Sequence, residues 1–94
     1  MDDNADKMER AINRGEEARA LLENPLLTEA FNRLDSEYIA AWRVSAVRDM
    51  AAREKLWQAV NIVALVRAHL FKIMNDGKLA KADLEMRAKL RRIA

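Results

Sequence analysis

Apolar and polar positions along this chain recur at three- and four-residue intervals, the period of a helix and not of a strand. In the first stretch the apolar positions are Met8, Ala11, Ile12, Ala18, Leu21 and Leu22. They predict a helix from about Asn4 to Glu23, capped by Asp2, Asp3 or Asn4, with acids near its positive end. Gly15 falls in the middle, where glycine costs about 1 kcal/mol relative to alanine. The first helix is therefore expected to be loosely held, or ordered only by a partner.

Asn24-Pro25 is the clearest boundary. Asparagine is a good N-cap, and proline loses nothing at the first helical position, where its missing N–H has no intrahelical partner. A second helix is predicted from Pro25 to about Val44. Leu27, Phe31, Leu34, Tyr38, Ala41, Trp42 and Ser45 form its apolar stripe, with Asn32, Arg33, Asp35, Ser36, Glu37 and Arg43 opposite. Ser45 to Asp49 reads as a turn, with Asp49 capping the next helix; a continuous or kinked helix is the alternative, since no glycine or proline enforces a break.

The third helix, about Met50 to Asp76, carries the strongest signal. From Leu56 to Met74, fourteen of nineteen residues are apolar, the exceptions being Gln58, Asn61, Arg67, His69 and Lys72. Gln58, Asn61, His69 and Lys72 align with Leu65 on one narrow stripe. Leu56, Val60, Val63, Val66, Leu70 and Ile73 lie to one side of it, and Trp57, Ala64, Ala68 and Phe71 to the other. A helix apolar over most of its circumference must be buried on several sides. One antiparallel neighbour covers only one of them. A bilayer would also bury it, but Arg67 lies within the stretch, and a central arginine costs roughly 2.5–3.5 kcal/mol on insertion scales. No membrane is expected. Asn75-Asp76-Gly77 should end the helix, with Gly77 as a left-handed C-cap. A basic last helix should occupy about Lys81 to Arg92, with Leu84, Met86, Leu90 and Ile93 weakly patterned.

The fold class these elements predict is all-α. A single domain over residues 1–94 would comprise an N-terminal helix in 1–24, an antiparallel helical hairpin of 25–46 and 49–76, and a basic C-terminal helix in 77–94. The two main helices would be roughly 33 and 42 Å long. Because the third helix has more apolar surface than so short a chain can cover, the expected assembly is an oligomeric bundle, a dimer or a ring. Trp42, Trp57, Val60, Ala64, Leu65, Ala68 and Phe71 are its candidate interface.

Composition sharpens this picture. Seventeen alanines inflate an apolar fraction of 51% without adding much burial. Two glycines, one proline and few aromatics favour long helices. No cysteine is present, so disulfides and thiolate zinc sites are out of reach. The acidic start, without a basic region leading into an apolar run, predicts no secretory signal. The expected location is a cytoplasm, with virion association as a further option. Charge is polarised. Residues 1–24 hold seven acids and four bases, and residues 78–94 hold two acids and six bases.

Candidate chemistry is sparse. His69 is the sole histidine and lies on the polar stripe, without the neighbours a transition-metal site needs. Ser36 and Ser45 sit in no nucleophile elbow. Adjacent acids such as Glu16 and Glu17 point apart around a helix. No enzymatic activity and no cofactor is expected. Trp42 and Trp57 would approach each other across the turn, either to stack a ligand or, more simply, to pack. Lys78, Lys81, Arg87, Lys89, Arg91 and Arg92 are candidate phosphate contacts, diluted by Asp83 and Glu85. Alternatively, they balance the acidic first helix.

Arg14-Gly15-Glu16-Glu17-Ala18, Leu21-Leu22-Glu23-Asn24-Pro25-Leu26, Ala41-Trp42-Arg43, Arg48-Asp49, Arg53-Glu54-Lys55-Leu56-Trp57, His69-Leu70 and Gly77-Lys78-Leu79-Ala80 follow one another in this order. That order resembles small helical proteins of tailed bacteriophages, found among head and DNA-packaging genes. The likeness covers roughly residues 14–84 and departs at Ser45-Ala46, where a proline-containing turn would be expected. It implies a phage structural or DNA-packaging accessory protein in the host cell, whose partners are itself and another phage protein. Two other roles fit the residues: a binder or inhibitor of a host defence or regulatory protein, and a nucleic-acid-binding accessory protein that uses the basic C-terminal segment.

Overall fold

The computed structural model describes residues 3–93, which fold as three helices with no strand among them. Helix α1 spans Asp3–Glu23, α2 spans Pro25–Val44 and α3 spans Met50–Ile93. The first two boundaries follow from local chemistry. Asn24 adopts an extended backbone, and its Oδ1 accepts hydrogen bonds from the N–H groups of Leu26 (2.9 Å) and Leu27 (3.1 Å), with Pro25 opening the helix. Ser45 stops α2, its N–H donating to Trp42 O at 3.2 Å. Asp49 caps α3 by accepting from the Ala52 N–H at 3.2 Å.

The predicted break at Asn75-Asp76-Gly77 is absent, and among the described residues no separate helix follows it: residues 77–93 belong to α3. Helix α3 runs unbroken for 44 residues, about 66 Å of rise. Gly77 keeps a helical backbone; no described residue, glycine or other, has positive φ. Asp76 receives the Lys72 ammonium at 2.8 Å one turn back and so supports the helix there. Lysine, leucine, alanine and glutamate follow, all good helix formers, and no proline enforces a stop.

The residues group into two compact units, one of 1–22 with 70–94 and one of 23–69. In the first, α1 packs on the later part of α3 at two glycines. A Cβ built on Gly15 would lie 2.9 Å from Gly77 Cα and 3.3 Å from Ile73 O. One built on Gly77 would lie 2.8 Å from Ala11 O and 2.9 Å from Gly15 Cα. Backbone meets backbone, so only glycine fits on either side. Gly15, which by propensity alone weakens α1, is thus the point where α1 is held.

In the second unit, α2 lies against the first part of α3. Arg67 Nη2 donates to Asn32 Oδ1 at 3.3 Å, stands 4.0 Å from Asp35 Oδ2, and places its guanidinium 5.0 Å from the Phe31 ring centre. At the turn end Arg53 Nη1 donates to Ser45 Oγ at 2.9 Å, and its guanidinium lies over the Trp42 ring. Residues early in α2 therefore meet residues late in this part of α3, and the reverse. Of the described residues only Gly15, Ala18, Val63 and Gly77 are buried.

Candidate functional site

The unit of residues 23–69 carries a groove of about 270 Å3 lined by Ile39, Trp42, Arg43, Leu56, Trp57 and Val60. Two helices form its walls. On α2, Ile39, Trp42 and Arg43 fall within one turn and a half; on α3, Leu56, Trp57 and Val60 do the same. A larger hollow of about 700 Å3 is lined by Pro25, Thr28, Glu29, Asn32, Arg33 and Ser36. All six lie on α2, so it has no opposing wall and no means of enclosing a ligand.

Arg53 holds the turn beside Trp42. Its Nη1 donates to Ser45 Oγ at 2.9 Å and to the carbonyls of Trp42 and Ser45, each at 3.3 Å. Its guanidinium carbon sits 4.2 Å from the centre of the Trp42 ring, a cation–π contact. The Ser45 hydroxyl also donates to Trp42 O at 2.6 Å. The carbonyls at the C-terminal end of α2, which have no intrahelical donor, thus find one across the turn. A cation there also suits the negative end of the helix dipole.

Trp42 and Trp57 are therefore brought to one groove and left wet, 41% and 63% exposed. Val60 lines the groove half-buried. Ala64 and Ala68 are exposed in the same unit, and Leu65 is 68% exposed. Phe71, in the other unit, is exposed as well. The basic set behaves differently. Lys78, Lys81, Lys89, Arg91 and Arg92 are exposed, whereas Arg87 is half-buried with its Nε 3.6 Å from Asp83 Oδ1. In that unit Glu16 accepts two bonds from Arg19, at 2.6 and 3.1 Å. This bond and the arginine's charge hold the Glu16 carboxyl below the usual carboxylate range; the more distant Lys81 adds slightly.

His69 is exposed, and no group of three or more His, Cys, Asp or Glu residues among the described ones is placed to hold a metal. Helix α3 contains an 18-residue window of mean hydropathy 1.2, by length and composition enough to cross a bilayer, and 6% of that window is buried. The sequence reading missed Arg53 and the glycine pair. The available signal for Arg53 was a long cation in the first turn of a helix that follows a turn. For the glycines it was that both fall on helical stripes, Gly15 between Ala11 and Ala18.

No protein-family model, curated protein or solved structure matches this chain.

Proposed function

We propose that this chain is a non-enzymatic, oligomeric helical protein. In this reading α2 and α3 form an antiparallel hairpin that completes its apolar core in a bundle with further helices. The role proposed is that of a structural or DNA-packaging accessory component of a tailed phage, made in the host cytoplasm and virion-associated, with no membrane involved. One observation carries the assembly part. Among the described residues seventeen large apolar side chains are exposed, while Ala18 and Val63 are the buried apolar residues. A monomeric soluble protein scatters single apolar residues over its surface but does not leave its core uncovered. The phage assignment rests on the order of helix-boundary and packing segments from Arg14 to Leu84.

Native mass spectrometry and light scattering at micromolar concentration test the reading, with a mass of two or more chains expected. A well-folded monomer of 10.8 kDa would remove its basis.

Contact with nucleic acid is a second reading, favoured by the exposure of Lys78, Lys89, Arg91 and Arg92. Its signature is binding that weakens steeply with salt. Replacing those four by glutamine is the proper test. Deleting residues 78–94 would also remove surface from the unit that holds α1.

A further inference from the structure

We propose that α1 is a releasable strap whose seat on Gly77 keeps α3 continuous, and that its release lets Gly77 end that helix. The proposal concerns α1 and residues 70–93 alone and does not depend on the assembly reading.

Gly77 can serve two arrangements, but not both at once. Asn75-Asp76-Gly77 is a helix-ending sequence in which the glycine takes a left-handed backbone, a conformation it reaches without steric cost. Here Gly77 is helical instead, and no described residue has positive φ. Its neighbour supplies the reason. A Cβ on Gly15 or on Gly77 would lie within 2.9 Å of backbone atoms of the other helix. The seat is thus built from helical backbone on both sides, Ala11 O on α1 and Ile73 O on α3 among it. A left-handed Gly77 would turn the chain out of the helix and remove the surface on which Gly15 rests. Docking of α1 and a break at Gly77 therefore exclude each other, and whatever loosens the first favours the second.

Three features keep the balance close. Each helix carries a glycine in its interior, which weakens it relative to alanine. Beyond Gly77 sixteen described residues remain, near the length at which a lone helix is marginal in water. Helix α1 is lightly held: its buried residues are Gly15 and Ala18, neither with a large side chain. The seam between the helices is also unfilled. Ile12 and Met74 share a hollow of about 270 Å3 with Arg19, Lys78 and Lys81, three cations against the single carboxylate of Glu16. Weakly packed elements of this kind open locally, well below the free energy of global unfolding. The segment that would swing carries Lys78, Lys81, Lys89, Arg91 and Arg92, so α1 governs how those cations are presented.

The chain has no cysteine, so nitroxide labels on Phe71→Cys and Lys89→Cys, both exposed positions, report α3 across Gly77. They stand eighteen residues apart, five full turns and about 27 Å along an unbroken helix. The full labelled chain is mixed with excess unlabelled chain so that distances within one chain are read, while amide hydrogen exchange reports α1. One narrow distance that fits the unbroken helix is expected. Gly15→Leu presses a side chain against Ile73 O and Gly77 Cα. The α1 amides should then exchange about tenfold faster or more, and the label distance should shorten and broaden. Adding Gly77→Ala removes the left-handed option, and should bring back the narrow distance while α1 stays released. An unchanged distance in Gly15→Leu with α1 released overturns the proposal, as does a lost distance that Gly77→Ala fails to restore. Protection of α1 that survives Gly15→Leu overturns the seat itself. Should Gly15→Leu fail to fold, exchange in the unaltered chain at sub-denaturing urea decides. Amides of α1 and of residues 79–88 should then open together with one urea dependence, and separate openings overturn the coupling.

Discussion

At the scale of single residues, the two glycines invert a propensity argument. Replacing a mid-helix glycine by alanine ordinarily stabilises by about 1 kcal/mol. Here the added methyl would press on backbone atoms at 2.8–2.9 Å, which cannot rotate away as a side chain can. Gly15→Ala and Gly77→Ala should each destabilise by roughly 1–3 kcal/mol, as overpacking does; urea denaturation measures the sign, and a gain in stability would mean the close approach does not form. Glu16 offers a finer probe. Its folded pKa is depressed, so any stability it lends is complete above its unfolded pKa and is lost as pH falls through the folded one. Arg19→Gln should raise the Glu16 midpoint toward the ordinary carboxylate value in a carboxyl-carbon NMR titration. An unmoved midpoint would show that the pair does not form in solution. Because the carboxylate is fully exposed, the effect on overall stability is expected to be small.

At the scale of elements, boundaries follow local capping and continuity follows packing. Asn24 accepts two backbone bonds and Asp49 accepts one. Asn24→Ala should therefore cost about 1 kcal/mol, and Asp49→Ala less, in paired denaturation curves. The turn depends on Arg53 reaching three oxygens while it covers an indole. Lysine has neither the planar fork nor the stacking face. Arg53→Lys should thus lose stability on the order of 1 kcal/mol, close to the loss in Arg53→Ala, and full rescue by lysine would show that charge alone matters. Pro25, Asn24 and Asp49 were legible in the sequence because a cap acts within three residues. The end of α3 was not. Asn75-Asp76-Gly77 is a stop signal by local rules, yet the facing glycine of α1, sixty-two positions away, turns it into a packing site.

At the scale of the whole molecule, assembly makes stability depend on concentration. Raising protein concentration tenfold should raise the midpoint of thermal unfolding, and a midpoint that stays put would contradict an obligate oligomer. The sequence by itself determined that the chain is helical, where α1 ends, where α2 begins and ends, and that the stretch from Leu56 to Met74 has more apolar surface than one neighbour can cover. Those properties are local or additive: they depend on residue type, on spacing along a helix, and on caps within one turn. Only the tertiary structure decided that α3 continues to Ile93, that Gly15 and Gly77 meet, and that Arg53 ties the turn at Ser45 to Trp42. Each of these depends on which distant backbone comes within reach, and helical periodicity says which face is apolar without saying what it will touch.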